Sequence, residues 1–483
     1  MLLTLVIVYL LATVAIGLYA ATRVKSSADF AVAGRSLPLI MIVTTTFATW
    51  FGSETVLGIS ARFVKGGLNS VVEDPFGASM CLVLVGLFFA YKLYNMTLIT
   101  IGDFYRKRFG PAIEIFCSIV IILSYLGWVA AQITALGLVF NLVSGGAVTT
   151  QGGMVLGTLI VLLYTVFGGM FSVAWTDFLQ MTIIVIGLLA IAVMAGNQAG
   201  GADKVLALAQ QENWFRFWPE AKAHDIVFFF AAGITMMLGS IPQQDVFQRV
   251  MSAKDADTAR KGPIIGGLSY LLFAFVPMFI VASSILIMPE EAKKLLAEDP
   301  QKVLPTLIMG HMPLVAQVFF FGALISAIMS TASATLLAPS TTFTENILKH
   351  LVPHMGDKQV LRALRISLVG FSVLVLSYSM IMQGTSIYEL VSSAYQVTLV
   401  GAFVPLAFGL YWKRATTQGA VMSIALGIGV WLMFFPQLTN WGEAFPGQLA
   451  GLLAALSGMV AGSLGPQLMH NKHAVHELAG LKT

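Results

Sequence analysis

The run Thr44-Thr45-Thr46-Phe47-Ala48-Thr49-Trp50-Phe51-Gly52-Ser53-Glu54-Thr55 decides how this chain is read. It lies in a stretch, 37–61, long enough to cross a bilayer, yet it carries hydroxyls, a carboxylate and a glycine where lipid-facing residues belong. An intramembrane charge costs at least ~2.5–3.5 kcal/mol on insertion scales, so Glu54 is a functional candidate. Gly52 lowers helix propensity. A helix broken here would turn freed carbonyls toward an ion instead of lipid. The alternative is a continuous helix whose threonines bond back to the i−4 carbonyl.

The rest of the chain is built for the same solvent. Of 483 residues, 57% are hydrophobic and 10% charged, against roughly 25% charged in soluble proteins. Spanning a ~30 Å hydrocarbon core takes about 20 apolar residues of helix. By that ruler the chain is an all-α polytopic membrane protein with thirteen transmembrane helices in one domain, 1–483. They fall at 2–22, 37–61, 74–95, 111–145, 152–171, 176–197, 224–249, 262–288, 314–347, 361–383, 386–411, 416–435 and 448–469. The first run lacks a positive flank and reads as a helix that stays, not a cleaved signal. Cys81 and Cys117 lie in apolar runs without metal spacing.

Most of the 27 basic residues fall in alternate loops, among them Arg106, Lys107, Arg108, Arg249, Arg260, Lys261, Arg362, Arg365, Lys472 and Lys482. The positive-inside rule puts those loops in the cytoplasm, the N-terminus outside and the C-terminus inside, in the plasma (inner) membrane. The basic excess thus has a membrane explanation and implies no nucleic-acid partner. The stretches 199–223 and 289–313 are the longest outer loops, and 290–308 reads as a short helix over the outer mouth or a solvated connector.

A second interruption, Gly239-Ser240-Ile241-Pro242-Gln243-Gln244-Asp245, falls in the seventh span. Pro242 removes a ladder hydrogen bond and clashes with the turn before it, giving a break or a plain kink. Breaks in spans two and seven, five apart, fit two inverted five-helix repeats, 37–197 and 224–411, each opening on a broken helix. A third polar place, Ala327-Ile328-Met329-Ser330-Thr331-Ala332-Ser333, offers either close helix packing or hydroxyls for a hard cation.

Gly168-Gly169-Met170-Phe171-Ser172-Val173-Ala174-Trp175-Thr176-Asp177-Phe178-Leu179-Gln180 resembles a signature of the sodium/solute symporter family. Ala33-Gly34-Arg35-Ser36, and Phe247-Gln248-Arg249 followed by Ala253-Lys254-Asp255, resemble the family too, over about residues 29–414. The resemblance implies a five-plus-five inverted-repeat (LeuT-like) core with one extra helix before it and two after. It implies a sodium site from the carbonyls of Ala48, Phe51 and Ala327 and the hydroxyls of Ser330 and Thr331, with Asp177 on the sodium exit path. Gly239-Ser240-Ile241-Pro242 and Val303-Leu304-Pro305 look most like the choline transporter branch, which also places aromatics at Trp50 and Trp128. Gln243 stands where that branch has a tryptophan.

Candidate solute contacts are Trp50, Glu54, Thr55, Trp128, Gln132, Gln243 and Gln244, which suit a small organic solute, cationic or zwitterionic. An aromatic cage suits a quaternary ammonium, while Glu54 suits an amino group. The expected function is sodium-coupled import by alternating access. The rivals are a proton-coupled carrier titrating Glu54 or Asp177, and a solute sensor that does not transport, which the short tail after the last span disfavours. No histidine faces a nucleophile, so no enzyme is expected.

Overall fold

A computed structural model describes residues 2–435 and 438–469. Lys472 and Lys482, part of the charge asymmetry, lie outside the described residues. Among those described, the chain is helical throughout, and the one β-type contact is an isolated parallel bridge between Leu37 and Ala253. Among the described residues nine helices are long and apolar enough to cross a membrane, and a bent pair makes a tenth. Two shorter apolar helices, Leu39–Trp50 and Thr417–Met433, accompany them.

Both expected breaks are present. Leu39–Trp50 ends at Phe51, whose φ of −80° and ψ of 72° leave the helix, and winding resumes at Glu54. Ala223–Gly239 and Gln244–Met251 meet at 47° across Pro242. Each break frees a carbonyl that a threonine from another helix satisfies, as buried backbone requires. The Gly52 N–H turns to Trp50 O at 2.9 Å, and the Ala48 carbonyl accepts from Thr331 Oγ1 at 3.3 Å instead. At the other break the Gln243 N–H turns to Ser240 O at 3.1 Å, while Gly239 O accepts from Thr398 Oγ1 at 2.6 Å.

The turn between the expected spans 152–171 and 176–197 lies earlier than their limits imply. Winding runs over Thr150–Gln198 except at Gly169, whose φ of 50° and ψ of −137° divide it. That conformation is open to glycine alone, and a Cβ there would sit 2.4 Å from Phe30 O. Residues 199–223 hold a helix, Ala202–Gln211, which the loop reading omitted. The stretch after Met288 is three short helices, Pro289–Glu298, Pro300–Lys302 and Val303–His311.

The helices sort by burial. Leu314–Leu351 and Ile387–Tyr411 are the most enclosed spans, while Leu3–Ala21 and Asp357–Ile381 are the least. The outer helices present Leu11, Val193, Leu272, Ile366 and Val373 outward, a surface stable only against lipid. Leu314–Phe343 packs on Thr150–Gln198, Pro111–Val143 and Leu39–Trp50, so the Ser330–Thr331 pair faces the first break. At one end two distant motifs meet. Leu37 N–H donates to Ser252 O at 3.0 Å, and Lys254 N–H donates to Leu37 O at 2.9 Å. Asp255 caps the next helix, and the Thr258 N–H beside it holds its carboxyl below the usual range.

Candidate functional site

The polar residues singled out in the sequence form one buried seam with two ends. At the first end Thr331 Oγ1 touches Ala48 O, and Ser330 Oγ, one residue earlier, donates to Asp177 Oδ1 at 2.5 Å. Asp177 Oδ2 accepts from Thr45 Oγ1 at 2.5 Å. The non-helical ψ of Phe51 turns its carbonyl off the helix axis beside the same break. Ala327 lies one turn before Thr331, fully buried. Asp177 is therefore in direct contact with Ser330, closer to the hydroxyl pair than an exit-path role required.

Arg249 anchors this end. Its guanidinium donates to Asp245 Oδ2 at 3.1 Å and to Thr45 Oγ1 at 3.0 Å, and lies 3.8 Å from Asp177 Oδ2. Two carboxylates thus share one buried cation, which is the condition under which buried charges are tolerated.

The second end is aromatic. The Trp50 and Trp128 rings stack at 5.4 Å, and Tyr395 meets them edge-on at 5.6 and 5.3 Å. Tyr125 stacks on Trp128 at 6.0 Å. Beside them Gln132 Nε2 donates to Glu54 Oε2 at 2.7 Å, and Gln132 Oε1 accepts from the Ser53 N–H at 3.1 Å. Thr55 Oγ1 donates to Trp50 O at 2.8 Å and lies 3.0 Å from the Tyr270 hydroxyl, which donates to Asp74 at 2.5 Å.

The two glutamines of the second break part company. Gln243 Nε2 donates to Ser124 Oγ at 2.9 Å and to Thr398 Oγ1 at 3.4 Å, fastening the break to two helices. Gln244 is not brought to the aromatic group. Its Oε1 accepts from the Ile101 N–H at 2.8 Å, at the start of the helix Ile101–Phe109.

Tyr125 joins the two ends. Its hydroxyl donates to Asp245 Oδ1 at 2.5 Å and accepts from the Asp245 N–H at 2.9 Å, while its ring lies on Trp128. Sequence reasoning passed over Tyr125, Tyr395 and Asp245, and it counted Arg249, which is buried, as a loop charge. The i,i+3 spacing of Tyr125 and Trp128 and the i,i+4 spacing of Asp245 and Arg249 were the signals available.

The profile of the Sodium:solute symporter family matches residues 30–427. The chain belongs to the sodium:solute symporter family. This symporter is 26% identical to the human high affinity choline transporter 1 over 440 residues, 88% of this chain and 75% of that one. It is 26% identical over 461 residues to the high-affinity proline transporter PutP of Bacillus subtilis (91% and 93% covered), and 24% identical over 463 residues to the sodium/glucose cotransporter of Vibrio parahaemolyticus (85% and 80%). Among solved structures, a Na+-coupled sialic acid symporter in a substrate-bound outward-open state superposes with a TM-score of 0.83 at 19% identity, covering 96% of this chain and 97% of that one. Mhp1 in a closed conformation, with a TM-score of 0.59, shares the fold. These relatives are transporters, not enzymes, and sodium is the coupling ion that the family points to.

Proposed function

We propose that this symporter imports a small organic solute across the plasma membrane by alternating access, driven by sodium. In this reading thirteen helices cross the bilayer, with the N-terminus outside and the C-terminus in the cytoplasm. Residues 37–197 and 224–411 form the inverted repeats. Sodium is held by the carbonyls of Ala48, Phe51 and Ala327 and the hydroxyls of Ser330 and Thr331, and leaves past Asp177. The observation that carries the reading is the 3.3 Å contact of Thr331 with Ala48 beside the break at Phe51, in a chain of this family. Neutral hydroxyl and carbonyl oxygens at a broken helix suit a hard monovalent cation.

Sodium bridging the broken helix and Leu314–Phe343 would stabilise the solute-ready state. By linkage, solute and sodium would tighten each other equally. Trp50, Trp128, Glu54, Thr55, Gln132 and Gln243 supply the solute's surroundings. The test is uptake into proteoliposomes under a sodium gradient, a proton gradient or potassium alone. Accumulation should require sodium. Uptake unchanged in potassium, or driven by the proton gradient alone, would refute the reading.

A further inference from the structure

We infer that the solute carries an ammonium group bearing at least one N–H, and that Glu54 selects it over a quaternary ammonium. This rests on the transport reading above and concerns the aromatic end of the seam.

Glu54 is 1% exposed. Its Oε2 accepts from Gln132, but its Oε1 has no hydrogen-bond partner in the protein. A buried carboxyl oxygen without a well-formed hydrogen bond is disfavoured, and a donor brought by a guest would complete it. The indole N–H of Trp50 and the Tyr395 hydroxyl are likewise buried and unpartnered, and the Trp128 indole and the Ser53 hydroxyl lie beside the Glu54 carboxyl without closing a well-formed hydrogen bond. Orphaned polar atoms are rare in folded proteins. Here they gather in one aromatic cluster, whose rings lie 5.3–5.6 Å apart.

Charge points the same way. Asp177 and Asp245 share Arg249, whereas Glu54, Glu73 and Asp74 are all buried and none makes an ion pair among the described residues. Arg62, whose charge reaches Glu73, is exposed and lies 4.3 Å over the Tyr388 ring. This half of the interior therefore holds three buried carboxyl groups with no ion-pair partner, and a positive guest would supply one.

The two recognition elements separate the cation types. Ring faces attract any cation, methylated or not. The free Glu54 oxygen rewards only a guest with a hydrogen to give, and a charge-assisted hydrogen bond favours that guest by about tenfold or more. A solute that also carries a carboxylate would find the two indole N–H groups as donors.

The experiment uses the purified full chain in sodium, with paired probes sharing a skeleton: ethanolamine and choline, glycine and glycine betaine, proline and its N,N-dimethyl betaine. A nitrogen-free sugar and a nitrogen-free carboxylate complete the panel. Binding is read by thermal shift and by competition for uptake. At least one N–H probe should bind about tenfold or more tightly than its permethylated partner, and Glu54→Gln should bring that ratio close to one. A permethylated partner binding as well or better, a panel in which no N–H probe binds, or a ratio unchanged in Glu54→Gln would overturn the inference. The wild-type comparison stands even if the variant misfolds. Sodium-dependent stabilisation, measured against potassium without any probe, tests the transport reading separately. If it persists while the N–H preference is absent, only the selectivity claim falls.

Discussion

Thr331 donates its hydroxyl proton to the backbone carbonyl of Ala48 at 3.3 Å, across 283 residues of sequence. This contact does two things at once. It satisfies a carbonyl released by the break at Phe51–Gly52, and it points two oxygens of different helices at one place.

The first prediction concerns that pair. Thr331→Ala removes one oxygen of the proposed sodium shell, and an interaction with a charge is worth about 1.5–3 kcal/mol. The sodium concentration for half-maximal uptake should rise roughly 10- to 100-fold, with the maximal rate less affected. Ser330→Ala should act in the same direction. A sodium titration of uptake decides, and unchanged curves for both variants would refute the ligand assignment.

The second concerns Gly52. A Cβ there would stand 2.6 Å from Glu54 Oε2, 2.8 Å from Thr331 Oγ1 and 3.0 Å from Gln132 Oε1. Gly52→Ala should therefore disturb sodium and solute together. Gly370, in the helix Asp357–Ile381, has nothing within 4 Å of its missing Cβ. Gly370→Ala should be neutral, or stabilising by up to ~1 kcal/mol through helix propensity. Uptake and melting temperature of the two variants, compared side by side, check this.

The third concerns the shared arginine. Asp245 bonds Arg249 at 3.1 Å, while Asp177 lies at 3.8 Å. Asp245→Ala should lower the melting temperature more than Asp177→Asn. Leaving a buried charge unpaired costs about 3–5 kcal/mol, so the double variant, which strips Arg249 of both partners, should lose more than the sum of the singles. Additive losses in thermal melts would argue against a shared cation.

The fourth concerns the turn at Gly169. Its backbone is closed to other residues, and Phe30 O stands 2.4 Å from the missing Cβ. Gly169→Ala should sharply reduce the yield of folded protein in membranes. A normal size-exclusion profile and melting curve would contradict it.

The sequence disclosed what depends on composition along the chain. Apolar length located the helices, and the misplaced hydroxyls around Gly52 and the proline at 242 located the breaks, because lipid penalises such residues wherever they fall. It did not disclose which partners a polar group finds across the bundle. Gln243 and Gln244 are adjacent and chemically identical, yet one faces Ser124 and Thr398 and the other the backbone at Ile101. Gln243 is the extended residue that caps the helix Gln244–Met251, and Gln244 is its first helical residue. Gly169 was quoted as part of a motif, but that it carries the turn depends on Phe30, which is distant in sequence. Arg249 was read as loop charge, because nothing near it in the chain announced Asp177.

For anyone seeking to redirect this carrier to another solute, Tyr125 divides the aromatic end into what can be altered and what cannot. The polar atoms of Trp50 and Tyr395 have no hydrogen-bond partner within the protein, and that of Trp128 has only the Glu54 carboxyl beside it, so those three rings form a palette open to redesign. Tyr125 belongs to the same stack, but its hydroxyl is bound at both lone pair and proton to Asp245, and so to Arg249. A library randomised at the first three positions explores selectivity alone, whereas one that includes the fourth rewires the ion's half of the machine.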